Sequence, residues 1–254
     1  MQTIKNTLTL VLLFFATVSS AQSTVETASE AYRSEDYKRS IQLYEQVVAQ
    51  QLSEGKESAE IYYNLGNAYF RNGETAKAIL NYERALLLNP GDSDIRHNLR
   101  FARTRIEDKI DTSESFFLTN WIYSFKNLFN SNTWATIAIA LFIAFLSCIA
   151  TFLFVRKVWI KKTAFYTGII IFALLLLSNV FAFSQKNNRI HRNTGIVMAA
   201  SASIMASPDA NSQELFRLHE GTKVKLNKTD GNWIEIEIAN GSVGWTSKEN
   251  VEVI

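Results

Sequence analysis

Side chains that could carry out catalysis are few and far apart in this chain of 254 residues. The three histidines, His97, His191 and His219, lie in three different segments, so no two of them are neighbours. A single cysteine, Cys148, excludes an intrachain disulfide, a CxxC redox pair and a cysteine zinc cluster. The sequence has no glycine-rich phosphate loop, HExxH or GxSxG motif. We therefore predict that the protein is not an enzyme and binds no cofactor and no metal.

The charge balance gives no sign of a nucleic-acid partner. The formal net charge is +2, and charged residues make up 20% of the chain. Nucleic-acid-binding domains show a concentrated basic face or a high domain pI. We therefore expect protein and membrane partners rather than nucleic acid.

The N-terminus has the pattern of a secretory signal peptide. Lys5 provides a basic start, residues 8–18 are apolar, and Ser19, Ser20 and Ala21 are small residues at a cleavage site. An uncleaved anchor helix is the alternative, but eleven apolar residues are short for a span of about 20. We predict a signal peptide over residues 1–21, cleaved after Ala21.

Two later segments contain no charged residue and predict transmembrane helices. They cover residues 134–155 and 163–183, and each is long enough to cross a hydrocarbon core of about 30 Å. A pair of buried helices in a soluble protein is the alternative, but no other part of the chain is large enough to cover them. Trp134, Trp159 and Tyr166 lie near the ends, as interfacial aromatic residues do.

The short loop 156–162, RKVWIKK, contains four cations between these two segments. Basic loops favour the cytoplasmic side, and a cleaved signal peptide places the mature N-terminus outside. Both signals predict a bacterial inner-membrane protein with two spans, a cytoplasmic loop at 156–162 and two periplasmic soluble domains.

The segment starting at Ala59 closely resembles a tetratricopeptide repeat, a helical hairpin with a period of about 34 residues. Gly66 and Ala78 would allow its two helices to approach closely, and Pro90 would end the second helix. Eight residues match the repeat at fixed offsets: Tyr62, Leu65, Gly66, Tyr69, Ala78, Tyr82, Ala85 and Pro90.

Two weaker copies flank this segment. Upstream, Tyr44 corresponds to Tyr82 at an offset slightly longer than the repeat, because a polar loop between the hairpins carries extra residues. Downstream, Asn98 corresponds to Asn64 at the regular offset, but only a single helix follows. We predict a tetratricopeptide domain over residues 25–110.

The resemblance implies a concave groove for peptide segments, lined by the first helix of each hairpin. Its positions correspond here to Tyr63, Asn64, Asn67, Phe70 and Arg71. Asparagine side chains can bond a peptide backbone, and Phe70 can cover an apolar side chain. We expect Asn67 and Phe70 to lie outside the helix contacts. Ordinary exposed surface is the alternative reading of all five residues.

The last helix of the array has two stripes: one is charged, and the other is apolar and contains Ile95, Leu99, Ala102, Ile106 and Ile110. Arg96, Arg100 and Arg103 occupy positions that would face a following helix, which predicts a solvated capping helix. Contact with anionic lipid headgroups is a second reading.

Residues 115–130 repeat apolar side chains at helical spacing and predict either an interfacial helix or continued packing of the array.

The last sixty residues alternate apolar and polar side chains between Asp-Gly and Asn-Gly turns, which predicts a small antiparallel barrel. The layout over residues 193–254 resembles a bacterial SH3-type domain, with Trp233 and Trp245 at that family's two recurrent tryptophans. These two residues are either packing residues or a ligand-binding platform.

The fold class is therefore a multidomain membrane protein: all-α tetratricopeptide hairpins, two transmembrane helices and a C-terminal all-β SH3-like barrel. This order is similar to that of the BatE-type proteins of bacterial aerotolerance (Bat) operons, although the first repeat is imperfect. The resemblance implies membrane partners with von Willebrand A domains and a link to stress tolerance.

Two functions remain open from the sequence. One is a membrane-anchored scaffold that binds protein partners through its groove. The other is a cell-wall sensor whose barrel binds peptidoglycan.

Overall fold

The computed structural model describes residues 24–110 and 117–254. The predicted signal peptide lies outside the described residues. The described chain forms two compact units. One unit contains residues 24–88, 92–110 and 193–254, and the other contains residues 89–91 and 117–192.

The helical part of the first unit consists of two hairpins and a further helix. These helices are α1 (24–33), α2 (Tyr37–Ser53), α3 (Ala59–Arg71), α4 (Thr75–Leu88) and α5 (Ser93–Arg103). Asp36, Ser58 and Asp92 cap α2, α3 and α5, because their side chains accept bonds from backbone N–H groups of the first turn. The predicted hairpin arrangement is confirmed.

Gly66 permits the close approach of α3 and α4. A β-carbon at this position would lie 2.7 Å from two ring carbons of Tyr82, a side chain that is 1% exposed. No side chain larger than hydrogen fits there without displacing the ring. Tyr82, Ile79 and Leu65 belong to one continuous buried cluster, which explains why the repeat needs a glycine at this point.

The last helix is shorter than the sequence suggested. Its apolar stripe continues through Ile106 and Ile110, but α5 ends at Arg103, so both isoleucines lie beyond it. Ile106 packs against the core of the array, whereas Ile110 packs against the core of the sheet. The apolar stripe therefore continues into a linker whose two isoleucines pack against different cores, and it does not indicate one long helix.

The C-terminal part of the first unit is a seven-stranded sheet with antiparallel neighbours in the order β3-β2-β6-β5-β4-β1-β7. Gly231 and Gly241 occupy the two expected turns with φ of +51° and +88°, which glycine adopts without strain. The strands are β1 (Thr194–Val197), β2 (Ser201–Met205), β3 (Glu214–His219), β4 (Lys223–Asp230), β5 (Trp233–Glu237), β6 (Val243–Ser247) and β7 (Val251–Val253). The predicted all-β domain is confirmed.

The sheet packs against the array, a contact that the sequence did not predict. Ile196 on β1 and the C-terminal Ile254 are buried in the same cluster as the helical core. Gly221, at φ +88°, fits against Ile106 and Ile79, where a β-carbon would lie 2.6 and 3.2 Å from their side-chain atoms. The core of the array therefore includes residues of the sheet, which also has a second apolar core of its own.

The second unit contains α6 (Phe117–Lys126), α7 (Ser131–Phe154) and α8 (Val158–Ile190). The last two helices are long and apolar enough to cross a membrane by length and composition. The connection between α7 and α8 covers only residues 155–157, so the predicted loop 156–162 is too long. Residues 158–162 include no proline or glycine that would break a helix. Lys161 and Lys162 therefore lie in the first turns of α8. Helix α8 also extends beyond the apolar segment 163–183.

Polar bonds join α8 to α7 and to the end of α6. Ser178 Oγ donates to the Trp134 carbonyl at 2.8 Å, and Gln185 Nε2 donates to the carbonyls of Lys126 and Phe129 at 2.6 and 2.8 Å. Such bonds satisfy polar groups between apolar helices. Most other side chains of α7 and α8 face outward, and Ile143 and Ile170 are both about 60% exposed.

Candidate functional site

The candidate site is the groove formed by the first helices of the hairpins. Tyr63 and Asn67 on α3 belong to a hydrogen-bond network inside it. Asn67 Oδ1 accepts from the Tyr82 hydroxyl at 2.8 Å and from Asn98 Nδ2 at 2.9 Å, and Asn98 Nδ2 also donates to the Tyr63 hydroxyl at 3.0 Å. Burial raises the pKa of the Tyr82 hydroxyl, which therefore stays a donor. The network ties α3 to α4 and α5.

Phe70 lies at the end of the groove in contact with the last helix. Its ring centroid is 5.6 Å from that of Phe101 on α5, with the two planes tilted. The guanidinium of Arg105 lies over both rings, 4.8 Å from the Phe70 centroid and 5.5 Å from that of Phe101. Phe101 remains 50% exposed, so an apolar surface is open to a partner here.

Arg71 lies at the opposite side of α3, next to the turn between α1 and α2. Its guanidinium lies over the Tyr37 ring, 5.1 Å from the centroid, and Glu35 is 4.0 Å away. Burial raises the pKa of Tyr32, and the positive charge of Arg71 partly opposes that rise. The side chain is half-exposed and keeps donor groups available to a ligand.

Asn64 is the predicted site residue with the fewest internal contacts. It is half-buried, and within the described residues no hydrogen bond involves its side chain. Asn67 and Phe70 differ from the expectation, because both contact neighbouring helices. The prediction missed four further residues of the groove: Tyr32, Tyr37, Asn98 and Phe101. The offsets between the repeats could have identified those on α1 and α5.

The two tryptophans of the sheet lie on its outer face. Ile234 and Ile236, which alternate with Trp233 on β5, face the buried core. Trp245 pairs with Glu235, which shares the outer face of β5 with Trp233. Both tryptophans are half-buried and do not belong to the core cluster. Both tryptophans are therefore surface residues and not core residues.

A charged cluster joins the array to the sheet. Glu83 on α4 is 4% exposed and accepts from Arg103 with one oxygen and from Lys223 Nζ with the other, the latter at 2.7 Å. This contact corrects the view of Arg103 as a purely solvated capping residue. Arg84 Nη2 donates to Glu252 at 3.0 Å and to the Val253 carbonyl at 2.8 Å.

A second polar contact lies beyond α5. Asp108 accepts from the backbone N–H of His219 and from the Thr222 hydroxyl, both at 2.7 Å, and its other oxygen is 2.8 Å from His219 Nδ1. Burial would raise the pKa of Asp108, but these bonds together lower it below its ordinary value. The bond to Asp108 raises the pKa of His219. The interface is thus fixed by charge as well as by apolar packing.

Comparisons with protein families identify the two modules. Residues 59–92 match the family model described as "Tetratricopeptide repeat", and residues 199–252 match the one described as "Bacterial SH3 domain". The search of curated proteins returns no match. Both families are typically non-catalytic interaction modules: the repeat suggests protein partners and the SH3 domain suggests peptidoglycan-related binding.

Proposed function

We propose that the protein is a non-enzymatic scaffold in the bacterial inner membrane that binds protein partners through the groove. One observation carries the proposal. The groove combines aromatic rings, an asparagine with a free amide and half-exposed guanidinium groups on one face. A peptide bound there would find both apolar surface and donors for its carbonyl groups.

The two long apolar helices support the membrane part of the proposal. A buried helix of a soluble protein is mostly covered by its own chain, but most side chains of α7 and α8 are exposed. An apolar surface of this size needs a lipid or protein cover. The proposed spans are residues 134–155 and 163–183, with α6 and its flanks, 115–130, at the interface.

The proposed orientation places the array and the sheet in the periplasm. A signal peptide at residues 1–21 and the cations Arg156, Lys157, Lys161 and Lys162 support it. The array precedes the first span and the sheet follows the second. Because they share one core, they must lie on the same side, which fits a chain that crosses twice.

The resemblance to the BatE-type proteins suggests the assembly in which the scaffold acts. We propose a complex with other Bat-type membrane proteins that carry von Willebrand A domains, with a role in aerotolerance. This part of the proposal rests on the order of the modules and on no contact in the structure.

A second candidate function is peptidoglycan binding or sensing by the SH3-type domain. The outer-face position of Trp233 and Trp245 favours it, because aromatic rings on an open surface can stack on sugar rings. Trp233 lies on β5 and Trp245 on β6, whereas the array and the linker after α5 contact β1, the end of β3, the start of β4 and the C-terminus. The contact with the array therefore leaves this face open.

Site-specific photo-crosslinking in cells tests the scaffold function. A photoreactive amino acid in place of Asn64 should give protein adducts, because this side chain faces the groove and supports no internal bond. Gln46, exposed on α2, is the matched control, and Val243, exposed beside Trp245, probes the sheet. Adducts at Val243 with none at Asn64 would reject the groove as the binding surface and favour the second function.

A further inference from the structure

Each of the three first helices of the array has an arginine at its end or just beyond it. Arg33 ends α1, Arg71 ends α3, and Arg105 lies two residues beyond α5. The separations between successive members equal the two offsets of the repeats, so the three arginines occupy one equivalent position. Equivalent positions in stacked repeats line up along the array. The three residues therefore occupy one row along the array, which we name the arginine ladder.

Two members of the arginine ladder are held in place by aromatic rings. Arg71 lies over Tyr37, and Arg105 lies over Phe70 and Phe101. A ring under the flat face of a guanidinium leaves its N–H groups free at the edge. Arg33 donates only from Nε, at 3.4 Å, to the Ser29 carbonyl of its own helix. All three side chains are exposed.

The ladder also has an excess of positive charge. Within the described residues, Glu35 at 4.0 Å from Arg71 is the one carboxylate that forms an ion pair with any of its members. Two exposed lysines of the array have closer partners, Lys77 with Glu74 at 2.7 Å and Lys56 with Glu54 at 2.8 Å. Cations without partners on a binding groove favour an anionic ligand.

We propose that the arginine ladder binds an extended acidic peptide whose carboxylates recur at every third residue. The proposal deepens the groove function given above and rests on it. Helices packed side by side lie about 8–10 Å apart. A polyproline II peptide rises about 3.1 Å per residue with three residues per turn, so every third side chain lies on one edge at about 9.3 Å. This spacing matches one carboxylate to each arginine.

The chemistry of the pairing explains why arginine fits this role. A guanidinium presents parallel N–H donors that bind both oxygens of a carboxylate. The apolar residues of such a peptide would face Phe70, Phe101 and Tyr63. No terminal carboxylate is required, because the arginines would pair with side-chain carboxylates.

The test uses the full chain in detergent micelles and a fluorescein-labelled (Pro-Glu-Leu)3 nonapeptide, followed by fluorescence anisotropy. Two probes of the same length serve as controls: (Pro-Gln-Leu)3, and an isomer with the three glutamates adjacent. We expect the spaced acidic peptide to bind at least about tenfold more tightly than either control, and to weaken as salt screens the pairing.

The triple variant Arg33→Gln, Arg71→Gln and Arg105→Gln should lose that preference. The control variant Lys38→Gln, Arg39→Gln and Arg100→Gln removes the same charge from exposed positions outside the ladder and should keep it. Basic residues also stabilise helix C-termini, so both variants are compared at matched folded fraction, measured by circular dichroism.

Equal affinity for the glutamate and glutamine peptides, or undiminished preference in the triple variant, would overturn the ladder. So would the absence of binding by all three peptides. None of these results affects the photo-adduct at Asn64, which decides the groove function by itself. If the peptide-binding test rejects the arginine ladder while Asn64 still forms protein adducts, the groove binds a partner of different charge.

Discussion

At the scale of single residues, Asn67 has a structural role in the fold beside its proposed role in the groove. Its oxygen accepts two internal bonds, while its amide nitrogen donates to no other described residue. The repeat pattern predicted the second role and missed the first. Periodicity in the sequence reports which face of a helix a residue occupies, but it does not report which neighbour a polar atom bonds.

Asn67→Ala should destabilise the protein, because it leaves the buried Tyr82 hydroxyl without its acceptor. The loss of a buried acceptor costs about 1 to 3 kcal/mol of unfolding free energy. Asn64→Ala is the matched control, and a substitution of a half-exposed residue without internal bonds stays within about 0.5 kcal/mol. Denaturant unfolding of both variants in detergent measures the difference, and equal midpoints would refute the network.

At the scale of elements, the helices and strands follow from local patterns, whereas their mutual contacts do not. Repeat spacing, uninterrupted apolar segments and Asp-Gly or Asn-Gly turns are all short-range signals, and they predicted the hairpins, the two apolar helices and the sheet. The bonds of Asp108 to His219 and of Glu83 to Lys223 join residues more than a hundred positions apart. Such pairs leave no periodic trace in a single sequence.

The length of α5 shows the same limit. An apolar stripe that runs from Ile95 to Ile110 has helical spacing, but the helix ends at Arg103. The later isoleucines are apolar because the sheet covers them, not because a helix continues. Burial by the rest of the chain and the periodicity of a helix produce the same apolar sequence pattern. The structure shows which of the two causes applies to each isoleucine.

The contact between the array and the sheet should weaken as the pH rises. The pKa of His219 is raised by Asp108, so its contribution is complete below about pH 6.5, the ordinary histidine value, and is lost as the pH rises through the raised pKa. Glu107 supports the protonated form, and Arg217 opposes it. The lowered pKa of Asp108 keeps its own contribution present above about pH 3.8.

Thermal unfolding between pH 5.5 and 8.5 measures this dependence. The wild-type midpoint should fall with rising pH, and His219→Asn should flatten the curve. His97→Asn, at an exposed position on α5, is the control and should leave the slope unchanged. Equal slopes in wild type and His219→Asn would show that the imidazole does not contribute to the contact.

At the scale of the whole molecule, the central claim is that two spans hold the array and the sheet together on one side of a membrane. The shared core of Ile79, Ile196 and Ile254 requires both modules to be in one compartment. The length and apolar composition of α7 and α8 are sufficient to cross a membrane, and the proposed orientation places the basic connection on the side opposite the modules. Both conditions are met together by an even number of crossings.

Cysteine labelling in cells tests this claim most directly. In a Cys148→Ser background, single cysteines replace Gln46 on the array, Asn240 on the sheet or Lys161 near the start of α8. An impermeant maleimide, added after permeabilisation of the outer membrane, should label positions 46 and 240 alike. Position 161 should react only after lysis of the inner membrane. Labelling of position 161 in intact spheroplasts, or a difference in compartment between positions 46 and 240, would contradict the account.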